Sequence, residues 1–388
     1  MKKQVMIFGA GKIGRGFLGQ LFHRSGYLLW FVDASPRLVS LMNREKKYRV
    51  DIATRPADST EYIPLESAFL PGEDPALISA FNDCAIIVTS VGARNIRPTA
   101  AFIGTLLCYR EHTSPLNWLI CENASDPAGH IREELLKHPD PAVTAFVEHR
   151  LGLVETQILR TGMDAYPAIL AKEPLALRMH DWWSLPLDRD AYIGEIPDVL
   201  GFTPKPAFRN ELVRKLYSFN ATNGAISYIG WINGFTYLHE ATAAYRDFFM
   251  QIQAEASHGL TGEYGFEKRE QEEFMEMALT KYADPVLMDT IERNARDLDR
   301  KLGPRERLAG PALLCLKHGR RPEALAIALA AAYSYTGSDD PSTRGVIAYL
   351  AENGIEAALT KYSALEPGHT LFDMVVEAYD HKSYLFRT

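Results

Sequence analysis

The sequence is short of cysteine, of long apolar runs and of basic charge, and each shortage argues against a class of function. Its four cysteines, Cys84, Cys108, Cys121 and Cys315, show no Cys-x-x-Cys spacing, which argues against a disulfide framework or a zinc knuckle and fits a reducing compartment. No stretch reaches the roughly eighteen uninterrupted apolar residues of a membrane span. The opening lysines run straight into a short strand-like segment without a leader pattern, so the expected location is cytoplasmic. A formal net charge of −7 lacks the basic stripe that nucleic acid requires. His239-Glu240 has no HExxH continuation, no GxSxG elbow occurs, and His180, His258 and His318 stand isolated. No metal site is expected.

What is present suits a soluble enzyme acting on a small molecule. The 388 residues, 47% hydrophobic and 23% charged, are enough for two domains. Val5-Met6-Ile7-Phe8 reads as a strand, Gly9-Ala10-Gly11-Lys12-Ile13-Gly14 as a tight turn, and Ile13, Phe17, Leu18, Leu21 and Phe22 as one face of a helix. A second apolar run, Leu28–Val32, ends at Asp33, 19 positions after Gly14. Strand, glycine turn, helix and distal acid together form a dinucleotide-binding fingerprint. Gly9 permits the turn, Gly11 lets backbone approach a pyrophosphate, and Gly14 lets helix and strand pack closely. The helix N-terminus offers N–H groups to the phosphates. Asp33 would accept from the adenosine ribose hydroxyls and repel a 2′-phosphate, which favours NAD over NADP, although Arg37 lies nearby.

Further buried strands are expected at Ala85–Thr89, Trp118–Cys121 and Val143–Val147, separated by helices as in a parallel sheet. Ligands bind beyond the carboxyl ends of such strands. The turn at Val91-Gly92 would pass the cofactor, and Asn123 would bring an amide near the nicotinamide. The cofactor-binding set is therefore Gly9, Ala10, Gly11, Ile13, Gly14, Asp33, Val91 and Gly92. For Asn123, a turn or capping role is the alternative.

A proline-, glycine- and aspartate-rich stretch from Asp188 to Ala207 separates this half from a mainly helical remainder, giving domains of residues 1–192 and 193–388. The helix from Ala207 to about Ile232 carries Lys215, Asn220 and Asn223. At about 100° per residue Asn220 lies roughly 140° and Asn223 roughly 80° from Lys215. A desolvated lysine there could act as a general base and the amides could stabilise an alkoxide; a solvated face with locally bonded asparagines is the alternative.

The segments GAGKIGRGF, CEN at Cys121–Asn123, RKLYSFN ending at Asn220, DRKLGPRERLAGP and SDDP together resemble the mannitol dehydrogenase family of polyol-specific long-chain dehydrogenase/reductases, in particular its mannitol-1-phosphate branch. The resemblance spans nearly the whole chain in order. It implies an α/β N-terminal Rossmann-type domain with a parallel-rich sheet, an all-α C-terminal domain, and a metal-free active site in the cleft between them. It also implies NAD-dependent interconversion of D-mannitol 1-phosphate and D-fructose 6-phosphate. The family's K-x4-N-x2-H segment puts the general base on Lys215 and its amide partner on Asn220. Asn123 matches the strand-end asparagine that holds the reacting oxygen, and Arg293 and Lys301 fall at substrate-contacting positions. By charge pattern alone, the cluster Arg293, Arg296, Arg300 and Lys301 could equally pair with Glu292, Asp297 and Asp299 on a solvated face. Two departures stand out: Asn223 replaces the family histidine, and Leu159 replaces an aspartate. They leave open a different polyol, sugar phosphate or hexuronate as substrate, slow turnover, or an NAD-binding protein that has lost activity. The expected partner is a small-molecule substrate, with no nucleic acid and no membrane, and the expected assembly is a monomer or a homodimer.

Overall fold

Six short apolar segments form one sheet because each buries both of its faces. In the computed structural model, which describes residues 3–53, 59–110, 114–124 and 126–386, these are β1 (Gln4–Phe8), β2 (Leu28–Val32), β5 (Ser67–Phe69), β6 (Ile86–Thr89), β7 (Leu116–Ile120) and β8 (Leu151–Glu155). Every pairing is parallel, in the order β5-β2-β1-β6-β7-β8. Side-chain alternation splits the core into two layers. Val5, Ile7, Phe31, Val88 and Leu119 pack on one face, and Met6, Phe8, Ile87, Trp118 and Leu153 on the other. The chain leaves β1 in one direction through β2 and β5 and returns to the other side of β1 at β6. That reversal puts a crevice at the carboxyl ends of β1 and β6, where such sheets bind nucleotides.

A smaller sheet, β4 (Ser59–Pro64), β3 (Lys47–Ala53), β10 (Leu177–His180) and β9 (Gly162–Asp164), lies in the same half of the chain, as does the pair β11 (Leu185–Asp188) and β12 (Phe202–Lys205). The compact units are Met1–Phe208 and Arg209–Thr388. A division after residue 192 would separate β12 from β11, to which it is hydrogen-bonded in parallel.

The expected strand at Val143–Val147 is instead helical, within Pro141–His149. Asp140 caps the helix by accepting from the Ala142 N–H at 2.9 Å, and Pro141 occupies its first position. Val143, Phe146 and Val147 are its buried residues, a three-and-four spacing that a helix satisfies. The edge strand on this side of the sheet is β8, which follows this helix.

The second unit is built of helices among the described residues. Glu323–Tyr333 is deeply enclosed, with nine of its eleven residues buried, eight of them alanines or leucines, the alanines allowing close helix packing. The expected helix from Ala207 to Ile232 runs as an α-helix at Phe208–Lys215, a π-helical stretch at Leu216–Asn220, and an α-helix at Ala221–Ile232. That widened turn changes which side chains share a face.

Candidate active site

The glycine turn follows β1 directly, and contacts fix its shape. Gly9 has φ +91°, and a Cβ there would collide with the Ser90 carbonyl at the end of β6. A Cβ on Gly14 would collide with the Gly9 carbonyl, whereas one on Gly11 would meet nothing within 4 Å. The turn is thus closed against the sheet at Gly9 and Gly14 and open outward at Gly11. Residues 12–24 are helical, with a π-helical segment at Gly14–Gly19, and the N–H groups of the first turn have no intrahelical partner. Ile13 is partly buried against the core on the strand side. Ala10 donates its N–H to Asp33 Oδ2 at 2.8 Å, and Ser35 donates to Asp33 Oδ1 at 2.9 Å. The carboxylate, partly exposed, retains lone pairs for further donors. These residues fit a dinucleotide: an open space at Gly11 for the pyrophosphate, free N–H groups beside it, and an acid one strand away.

The ends of β6 and β7 are tied together by a residue that the sequence reading passed over. Glu122 accepts from the Val91 N–H at 2.7 Å and from the Gly92 N–H at 2.8 Å. Burial raises its carboxyl pKa, and the two backbone bonds oppose that rise. The carbonyls of Val91 and Gly92 are taken by Asn95, whose Nδ2 donates to Val91 at 2.8 Å and whose backbone N–H donates to Gly92 at 2.9 Å, so the turn is left open at the Gly92 Cα, where a Cβ would meet nothing within 4 Å. Asn123, the next residue, is exposed beyond the strand end. The only sequence signal for Glu122 was its place between Cys121 and Asn123.

In the helical unit the π-helical turn realigns the polar side chains. A wide turn of this kind absorbs one residue, so at about 100° per residue Asn220 moves to roughly 40° and Asn223 to roughly 20° from Lys215. Lys215 and Asn220 are half-buried. Among the described residues, neither side chain has a hydrogen-bond partner. Burial pulls the Lys215 ammonium from 10.5 to about 8, and repulsion from Arg307 adds to the fall.

Asn223, Arg293 and Lys301 belong to one network, joined through Asn294. Asn223 Nδ2 donates to Asn294 Oδ1 at 3.1 Å, Asn294 Nδ2 donates to Asp289 at 2.6 Å, and Lys301 Nζ donates to the Asn294 carbonyl at 2.8 Å. Arg293 is exposed and holds Asp289 with two bonds, at 2.9 and 2.7 Å. Arg296 pairs with Glu292, and Arg300 with Asp297 and Glu306. Burial lowers Lys301 to about 7, with Arg307 and Arg300 adding repulsion. The amide at position 223 thus positions Asn294, itself invisible as a site residue in the sequence. Leu159 is buried in the first unit. Its neighbour Arg160 donates to the His180 carbonyl at 2.7 Å and to Gln20 at 2.9 Å.

Residues 3–172 match the Mannitol dehydrogenase Rossmann domain and residues 211–382 the Mannitol dehydrogenase C-terminal domain. The chain is 31% identical over 377 residues to a mannitol-1-phosphate 5-dehydrogenase of Brevibacillus brevis, covering 95% of this chain and 96% of that one. It is 28% identical over 386 residues to the protein of the same name from Thermoanaerobacter pseudethanolicus, covering 98% of both. Among solved structures, a substrate-free D-sorbitol dehydrogenase aligns with a TM-score of 0.80 at 13% identity, covering 98% of this chain and 93% of that one. Mannitol 2-dehydrogenase of Pseudomonas fluorescens, in a ternary complex with NAD and D-mannitol, aligns with a TM-score of 0.73 at 12% identity, covering 99% and 92%. At those identities the likeness is one of fold.

Proposed function

Starting from the chain's membership of the mannitol dehydrogenase family of oxidoreductases, we propose that it interconverts D-mannitol 1-phosphate and D-fructose 6-phosphate with NAD. The observation that carries this reading is Lys215: half-buried, without a hydrogen-bond partner among the described residues, lowered to about 8, and on one helix face with Asn220.

The nicotinamide, when bound, supplies the hydride acceptor in one direction and the donor in the other. Gly9, Ala10, Gly11, Ile13, Gly14 and Asp33 would hold the dinucleotide, and Val91 and Gly92 would border it. Lys215 Nζ takes the proton from the polyol hydroxyl during oxidation and returns it to the developing alkoxide during reduction. At pH 7 an amine of pKa about 8 is neutral in about one molecule in ten; at 10.5 the fraction is about one in three thousand. The lowered pKa thus places both protonation states within reach. Asn220 donates an amide hydrogen to the reacting oxygen and stabilises its charge as it forms; the family resemblance gives Asn123 the same role.

A second reading keeps this chemistry with another sugar phosphate, polyol or hexuronate. It is favoured by Asn223, whose amide is engaged with Asn294, at a position where the resembling motif has histidine. Initial rates of NADH oxidation by the purified protein, with fructose 6-phosphate, fructose and hexuronates in parallel, separate the two. The proposed reaction requires fructose 6-phosphate to give the highest kcat/KM. A higher value for any other compound transfers the assignment to it.

A further inference from the structure

Lys215 and Asn220 share a helix face only because the turn Leu216–Asn220 is π-helical; an unbroken α-helix would set them roughly 140° apart. A π-helical turn inside an α-helix is rare, so its surroundings must hold it wide. Arg214, Ser218 and Phe219 are buried, while Lys215 and Asn220 are half-buried. The buried three all meet the helix Lys268–Ala283. Its fully buried Gln271 bridges two of them: Oε1 accepts from Arg214 Nε at 2.7 Å, and Nε2 donates to Ser218 Oγ at 3.2 Å. Arg214 also donates to the Glu270 carbonyl at 2.8 Å and lies over the Phe274 ring at 4.4 Å. Phe274 meets Phe219 edge to face with ring centroids 4.9 Å apart, and the Tyr282 hydroxyl donates to the Phe219 carbonyl at 3.2 Å. One neighbouring helix thus grips the chain just before the turn and twice within it.

We propose that Gln271 is a positioning residue for the proton transfer, its amide tying Ser218 to Arg214 and so keeping the wide turn that brings Asn220 onto the Lys215 face. The inference rests on the reading of Lys215 as the acid–base group. Arginine has donors only, so the acceptor end of the amide must face Arg214, and the donor end is left for Ser218. Glutamine thus serves two partners from one buried position, which leucine, of similar volume, cannot do. Glutamate can, because the Ser218 hydroxyl donates as well as accepts. Without the link the segment relaxes toward an ordinary α-helix, Asn220 turns away from Lys215, and the reacting oxygen loses one of its holders.

The test uses the full-length protein with saturating NADH and whichever compound of the substrate panel it reduces fastest. The kcat, the NADH dissociation constant and the thermal unfolding midpoint are measured for wild type, Gln271→Leu, Gln271→Glu, Ser218→Ala, Asn220→Ala, and Asn220→Ala combined with Gln271→Leu. Tyr333→Phe, which removes a buried hydroxyl bonded to Ser363 and Ala358 outside the turn, is the control for stability alone. Gln271→Leu should lower kcat about 100-fold, the cost of misplacing a reacting group by about 1 Å, with NADH affinity unchanged. Ser218→Ala should cost about fivefold, and Gln271→Glu should restore most of the wild-type rate. Tyr333→Phe should lower the unfolding midpoint and leave kcat as it is. The deciding readout is the double variant: because Gln271 acts through Asn220, Asn220→Ala should cost little further once Gln271→Leu is present. Losses that simply multiply, wild-type kcat in a folded Gln271→Leu, or an equal fall of kcat in Tyr333→Phe overturn the proposal. If Gln271→Leu does not fold, Ser218→Ala takes its place in the cycle with the same criterion. Turnover that does not depend on Lys215, or none with any compound, overturns instead the function proposed above, and the positioning role with it.

Discussion

The glycine turn of the first unit and the Lys215 face of the second are built on opposite principles. At the turn the flanking groups are already engaged, Ala10 with Asp33, and Val91 and Gly92 with Glu122, and the N–H groups at the start of the helix are left for a ligand. The shape is finished and open at Gly11. On the Lys215 face the reverse holds, with an amine and an amide lacking partners among the described residues and cations close enough to repel one another. The first region is preorganised for a ligand whose recognition is mostly backbone shape. The second stores unmet electrostatic demand that a charged, hydroxylated ligand would satisfy.

Replacing Lys215 separates the two regions most sharply. Lys215→Ala should lower kcat on the order of 10²- to 10⁴-fold, the usual worth of a positioned acid–base group. NADH binding, read by nicotinamide fluorescence, should stay at the wild-type level, and loss of binding would mean the regions are not separable. The converse change is Gly9→Ala, which forces a side chain into φ +91° against the Ser90 carbonyl. Strain of about 1–3 kcal/mol predicts a loss of NADH affinity of roughly 10- to 100-fold, checked by titration.

A smaller effect is expected at the clamp between strand ends. Glu122→Gln keeps one acceptor for Val91 and Gly92 in place of two charged ones, and should raise KM for NADH about tenfold. Unchanged KM would show that the turn holds itself. The mildest prediction concerns stability. Lys215, Lys281 and Lys301 have folded pKa values of about 8, 8 and 7, below the 10.5 of an unfolded lysine. Between those values the unfolded chain binds more protons, so stability should rise as pH goes from 7 to 10. Denaturant midpoints across the range measure that rise, and a flat profile would contradict it.

The same contrast explains what could be read from the sequence. The glycine turn was legible because its geometry is local: Gly9, Gly14 and Asp33 are needed at set intervals by one strand–turn–helix unit. Lys215 and Asn220 were legible as a motif, but their alignment was not, since uniform helical periodicity cannot register the wide turn at Leu216–Asn220. The segment Val143–Val147 misled through its β-branched residues, while the Asp140-Pro141 start and the three-and-four burial spacing were the better guide. Glu122 holds Val91 and Gly92, and Asn294 meets Asn223, across about thirty and seventy residues of sequence, so nothing in their immediate neighbours distinguishes them from ordinary surface or packing residues.

The central claim is that a lysine whose pKa its surroundings lower to about 8 moves the proton. The pH dependence of kcat/KM, measured for mannitol 1-phosphate oxidation and for fructose 6-phosphate reduction, tests it most directly. Oxidation needs the neutral amine and should rise with pH to a plateau above about 8, while reduction needs the ammonium and should fall over the same range. Profiles that bend in the same direction, or that show no inflection below 10, would contradict it.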